Sequence, residues 1–208
     1  MSQAKANPAT IVERSEESTA RKANLAPMRS KNKLGVWFFL GGEVILFSTL
    51  ILTYALIRIT NAGEYAAFRS HLSIPLIAAN TLVLIISSYF VVRSLQAARQ
   101  GRPESVFTNL LVVIALGTLF ILGQAFEWST LFGAGVGLSN TFGSPFYVLT
   151  GVHGSHVLIG IAWACIVLFL GINRPYNPRH YRALEIFGLY WHFVDIVWIV
   201  LFFLIYLL

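Results

Sequence analysis

The sequence predicts an all-α integral membrane protein, a bundle of five transmembrane helices. Three observations lead there. Hydrophobic residues make up 56% and charged residues only 12% of the 208 positions, too little charge to cover a soluble domain of this size. Five apolar runs are each long enough to cross roughly 30 Å of hydrocarbon at about 1.5 Å per residue. No stretch alternates polar and apolar residues as a half-buried strand does, and no internal repeat is present.

The elements follow in order. Residues 1–33 hold ten charged residues and no aromatic, the composition of a solvated polar tail. Thr10 to Glu13 has capping-box spacing, so a short surface helix is expected to start there, with a plain flexible tail as the blander alternative. The polar part is too long, and the following apolar run too extended, for a secretory signal. The transmembrane domain is expected over 34–208, with helices near 34–58, 73–93, 106–130, 145–172 and 185–208. Gly, Pro and Asn cluster in the connections, as in "RQGRPE" and "FGAGVGLSNTFGSP". The single Cys165 sits inside an apolar run, which rules out an internal disulfide and reads as a small hydrophobe.

The net charge of +6 does not point to nucleic acid, because the basic residues sit beside the apolar runs. Seven Lys/Arg lie in the tail, three in the second connection (counting Arg93) and three in the fourth. The first connection, counting Arg58, has two, and the third has none. Thirteen against two predicts a cytoplasmic N-terminus and, after five crossings, a C-terminus outside. The last run ends in "LIYLL" with no charged anchor of its own and is expected to stop at the outer face.

Five ionisable residues interrupt the apolar runs. Glu43 lies about 14 Å from the cytoplasmic end of the first run, at 1.5 Å per residue. His192 and Asp195 lie roughly 12 and 16 Å into the fifth, and His153 and His156 about 17 and 12 Å from the same face in the fourth. All five fall in one layer supplied by three helices. An intramembrane charge facing lipid costs on the order of 3 kcal/mol or more, so these groups are expected to face one another. Asp195 has two candidate donors, a His of the fourth helix or His192 three residues back. The plainer reading makes the layer interhelical glue. His153 and His156, three apart on one face, suit metal ligation, but no Cys lies nearby and a carboxylate partner is at hand. No metal is expected, and no spacing singles out an axial haem ligand. Near the outer surface Gln124 and Glu127 form a second polar patch, with Glu127 expected to reach water or to meet the start of the fourth helix. Gly117, Gly123, Gly151, Gly154, Gly160 and Ala164 are expected to let helix backbones approach closely.

Long motifs carry a resemblance. "GGEVILFSTLILTYALIR", "LGTLFILGQAFEW", "SPFYVLTGVHGSHVLIG" and "YWHFVDIVWIVLFFLIYLL" resemble, in order and spacing, subunit III of the haem-copper terminal oxidases, cytochrome c oxidase and the quinol oxidases. The likeness covers Leu34 onward. It implies an accessory subunit of an oxygen-reducing, proton-pumping complex of aerobic respiration, fed by cytochrome c or quinol, with no catalytic residue and no cofactor of its own. Haem and copper would lie in partner subunits. Subunit I would be the main contact, with subunit II, a small subunit IV and membrane phospholipid as further partners. Glu43 falls on the family's buried reactive carboxyl, linked to proton uptake, and His153, His156, His192 and Asp195 on recurrent polar positions. The family's seven-helix form encloses lipid between its first two helices and the other five. The first two are missing here, so a partner supplies that wall or the lipid role weakens. The short form implies a bacterial plasma (inner) membrane. Two alternatives stand beside this reading: an accessory subunit of nitric oxide reductase, and a small proton-coupled transporter, which the missing repeat disfavours.

Overall fold

The computed structural model describes residues 35–172 and 178–208. The expected 1–33 tail and the helix expected at Thr10–Glu13 lie outside the described residues. Five helices of 26 to 31 residues are long and apolar enough to cross a membrane: α1 (Gly35–Thr60), α3 (Ile74–Arg99), α4 (Pro103–Gly133), α5 (Gly143–Ile172) and α6 (Pro178–Phe202), the last extended by a π-helical turn, Phe203–Leu207. A short helix, α2 (Ala62–Arg69), follows α1 after Asn61. No strand occurs among the described residues. The chain divides after Glu43 into two units. The described part of the first is residues 35–43, the opening of α1. Everything below concerns the second, Val44–Leu208, unless Glu43 is named.

The middle helices run past the apolar stretches that predict them, because their ends are polar but well capped. α3 reaches Arg99 and α4 starts at Pro103, where the missing N–H costs nothing. Between them the Arg102 N–H bonds to the Ala97 carbonyl and the Gly101 N–H to that of Ala98. Gly101 has φ +68°, the left-handed residue such a helix stop needs. The same stop ends α4: Val136 bonds back to Leu131, Gly135 to Phe132, and Gly135 has φ +82°. At the start of α5, Asn140 Oδ1 accepts from the Phe142 and Gly143 N–H groups at 3.0 and 3.3 Å.

Buried positions recur with a period of 3.5. In α4 they are Val106, Leu110, Val113, Gly117, Phe120, Gln124, Glu127 and Leu131. α3 gives Ile77, Asn80 with Thr81, Leu84, Ser87, Val91 and Ser94. The pattern is a heptad seam, in which small and polar residues stand among the apolar ones, while Leu82, Ile85, Ile86 and Val92 face outward. Hydrocarbon solvates apolar side chains as well as a protein core does, so packing and hydrogen bonds select the seam. α3 and α5 each pack against both α4 and α6, closing a four-helix ring. α1 joins it through a narrow stripe, with Phe47 and Tyr54 buried and Val44, Ile45, Leu52 and Leu56 exposed.

The glycines act differently from the expectation. A Cβ on Gly117 (α4) would lie 3.0 Å from Trp191, and one on Gly160 (α5) 2.7 Å from it. The Trp191 Nε1 donates to Ser87 Oγ on α3 at 3.0 Å. One α6 indole thus touches all three other helices of the ring. Gly123 makes room for Asn80, whose Nδ2 donates to the Phe120 carbonyl at 2.9 Å. These glycines seat large side chains of neighbouring helices instead of bringing backbones together. A Gly154 Cβ would meet nothing nearer than Ile121 at 4.0 Å.

The end of α6 does have an anchor, supplied from elsewhere. Arg58 Nη1 donates to the Leu204 carbonyl (3.0 Å) and Tyr65 Oη to that of Ile205 (2.9 Å). Arg69 Nη2 donates to Tyr206 and Leu207 (3.4 and 3.3 Å). These are the orphan carbonyls of a helix end, where cations also answer the dipole. Arg58 and Arg69 are the only two Lys/Arg residues of the first connection.

Two outcomes are expected. Gly160→Ala should lower the thermal midpoint of the detergent-solubilised protein, at an overpacking cost of about 1–3 kcal/mol, whereas Gly154→Ala should not lower it. Arg58→Gln combined with Arg69→Gln should speed amide hydrogen exchange in residues 203–208 while leaving α4 protection unchanged.

Candidate functional site

The polar residues of the bundle sort by level along it. At one level α5 contributes His153, which is completely buried. Its ring stacks on Trp198 of α6 at 4.9 Å and meets the edges of Phe120 (6.0 Å) and Phe47 (6.4 Å). Neither ring nitrogen has a hydrogen-bond partner among the described residues. Trp198 is fixed in turn by Nε1 donating to Thr81 Oγ1 on α3 at 3.0 Å. His153 therefore occupies an aromatic cage and not the acid–imidazole contact that its spacing predicts. The edge-to-face rings supply the attraction, about 0.5–1.5 kcal/mol per aromatic pair beyond area burial.

One turn along α5, His156 is half-buried, with Nδ1 2.8 Å from the Val152 carbonyl of its own helix. Phe47 stands 5.1 Å from it and 6.4 Å from Phe193, so an apolar ring serves both imidazoles. On α6, His192 pairs through Nδ1 with Ser88 Oγ at 2.6 Å. Asp195 is 5% exposed, and neither of its oxygens has a hydrogen-bond partner among the described residues. Ser88 lies near it but is engaged by His192. The expected pairing of Asp195 with a histidine does not form. Residues three apart share a helix face, but here the serine of a neighbouring helix stands closer to His192. Glu43 lies on α1, half-buried, in the unit that ends with it.

The second patch corrects the expectation for Glu127. It is 2% exposed and does not reach water. Its Oε2 accepts from Tyr206 Oη at 2.5 Å and from Gln124 Nε2 at 3.2 Å. The partner helix is α6, not α5, because the heptad seam of α4 turns both Gln124 and Glu127 inward. The short Tyr206–Glu127 bond ties the turn beyond α6 to α4. Sequence reasoning missed the groups that complete this end: Tyr206, Tyr65, Arg58 and the buried Tyr54. Each reads as an ordinary interfacial aromatic or basic residue. The one available signal was the pair Arg58 and Arg69, in the connection that the Lys/Arg count predicts to lie on the disfavoured side.

No three His, Cys, Asp or Glu side chains come together as a metal needs, among the described residues. Among the described residues the acids and imidazoles stand in different settings: His153 against Trp198, His192 on Ser88, and Glu127 on Tyr206.

Comparison with known proteins agrees with this picture. Residues 11–208 match the family described as Cytochrome c oxidase subunit III. A protein of Bacillus subtilis named quinol oxidase subunit 3 is 35% identical over 178 residues, covering 85% of this chain and 87% of that protein. Proteins named probable quinol oxidase subunit 3 from Staphylococcus saprophyticus and Staphylococcus haemolyticus are each 33% identical over 180 residues, covering 85% of this chain and 89% of theirs. With a family match over nearly its whole length, five membrane-length helices and buried polar residues on the quoted motifs, this chain belongs to the cytochrome c oxidase subunit III family and is an accessory subunit of a haem-copper terminal oxidase.

Proposed function

We propose that the chain serves an oxidase of the bacterial plasma membrane that draws electrons from a quinol, and that it carries no redox centre itself. The relatives named quinol oxidase subunit 3 in Bacillus and Staphylococcus carry this reading. Haem and copper lie in partner subunits. Subunit I is the main contact, subunit II and a small subunit IV are further partners, and phospholipid fills the remaining surface. The Lys/Arg distribution supports a cytoplasmic N-terminal segment and cytoplasmic α3–α4 and α5–α6 connections. Glu43 takes part in proton uptake on that side, while the Glu127–Tyr206–Gln124 cluster is a structural lock.

Affinity purification through this chain, followed by identification of the co-purifying subunits and a haem spectrum, tests the assignment. Oxygen uptake should run with a quinol and not with reduced cytochrome c. Nitric oxide consumption without oxygen uptake would overturn it. Glu43→Gln should leave the complex assembled and lower its turnover by less than about tenfold, since factors of about 10²–10⁴ belong to groups in contact with the reacting atoms. Loss of assembly would make Glu43 structural. Glu127→Leu strands the Tyr206 hydroxyl and the Gln124 amide, at a cost of about 1–3 kcal/mol for each group left unpaired. The thermal midpoint should fall, turnover per assembled complex should hold, and Glu127→Gln should recover most of the loss.

A further inference from the structure

Ser88, His192 and Asp195 form a polar patch where α3 meets α6, and it stands deep in the bundle. Ser88 lies about 17 Å from the Arg99 end of its helix and about 21 Å from the other end, at about 1.5 Å per residue. His192 lies about 15 Å past Arg182 by the same count. At that depth acyl chains, not headgroups, surround a membrane bundle. His192 Nδ1 is 2.6 Å from Ser88 Oγ. The other nitrogen of this half-buried ring, Nε2, has no partner among the described residues. One turn on, both Asp195 oxygens are enclosed and unpartnered among the described residues, with Ser88 near them. A single serine hydroxyl therefore stands beside an imidazole and a carboxyl, and it can donate only once. With the imidazole proton on Nδ1, the ring donates to Ser88, the hydroxyl is released to donate towards Asp195, and Nε2 is left as a bare acceptor. With the proton on Nε2, Ser88 is spent on the ring and Asp195 goes unserved. The first arrangement satisfies more groups and leaves one demand, for a donor from outside the bundle.

Hydrocarbon offers no donor, and water does not reach that depth to replace one. A membrane-spanning helix supplies what lipid cannot, because a polar side chain in its seam bonds across to a neighbouring helix. The flanks of the patch suit such a helix. Ile85 stands one turn from Ser88, and Ile196 and Ile199 stand one turn beyond His192 and Asp195. They are 45%, 61% and 46% exposed. Apolar ridges on either side of a single polar point match a transmembrane helix that carries one polar residue on its packed face. Resting on the reading of subunit I as the main contact, we propose that the α3–α6 face at Ser88, His192 and Asp195 is the surface on which a transmembrane helix of subunit I packs, and that a hydroxyl, indole or amide group of that helix donates to His192 Nε2.

The test uses the intact oxidase complex in mild detergent, with a photoreactive benzophenone side chain placed in turn at Ile85, Ile196 and Leu158. Leu158 is 52% exposed on the α4–α5 side of the ring. Irradiation should join this chain to subunit I from Ile85 and Ile196, several-fold more than from Leu158. His192→Leu should speed release of this chain from the solubilised complex about three- to tenfold, the range of one interhelical hydrogen bond in a membrane. His192→Gln keeps an acceptor and should restore most of the loss. Capture of subunit I from Leu158 as strongly as from the other two, capture of a different subunit from Ile85 and Ile196, or unchanged release of His192→Leu would overturn the face. Suppression of the cross-link by excess short-chain benzoquinone would assign the patch to a quinone head group and overturn the helix. Subunit I that co-purifies but is captured only from Leu158 sinks this surface and leaves the subunit reading standing; subunit I missing from the purified complex sinks both. The cross-links are made with His192 intact, so misfolding of a His192 variant leaves the face testable.

Discussion

Trp191 is the interaction on which the ring of α3–α6 depends. Its six-membered ring fills the space left by Gly117 on α4 and Gly160 on α5, and its N–H is taken by Ser87 on α3. The apolar contacts and the hydrogen bond converge on one rigid side chain, so the register of four helices is specified at a single level. Lipid rewards none of the alternatives by withdrawing apolar surface from water; shape and hydrogen bonding have to discriminate. The heptad seams follow from this. Among the apolar seam positions stand Gly117, Ser87 and Asn80, and each accommodates or bonds a group of a neighbouring helix.

The same economy accounts for the polar interior. Trp198 finds Thr81, His192 finds Ser88, Asn80 finds a backbone carbonyl, and Glu127 finds Tyr206. Two of these bonds join α6 to α3, one joins the turn beyond α6 to α4, and the Asn80 bond joins the consecutive helices α3 and α4.

Five apolar runs and the Gly-rich turns were legible in the sequence, since hydropathy and helix-stopping glycines act locally. Gly101 and Gly135 could be read as loop residues, and both prove to be left-handed helix stops. That Glu43, His153, His156, His192 and Asp195 are singular residues in apolar runs was equally plain. Their partners were not. Depth along a helix follows from counting, but azimuth depends on which face meets which neighbour. His153 and His192 therefore stand among Trp198, Phe120 and Ser88 instead of beside a carboxylate. Phe47, Phe120 and Trp198 resemble every other aromatic in a sequence with 14% of them. Glu127 was misread for the same reason: its nearness to a helix end suggested water, while the seam of α4 aimed it inward.

The hold that Arg58, Tyr65 and Arg69 take on the carbonyls beyond Phe202 has a consequence for biogenesis. The grasping residues emerge from the ribosome long before the backbone they grasp. Until residues 204–207 are in place, Arg58, Tyr65 and Arg69 lack the carbonyls that they bind in the folded chain. The segment that carries Arg58, Tyr65 and Arg69 therefore gains this attachment only once the turn beyond Phe202 is in place.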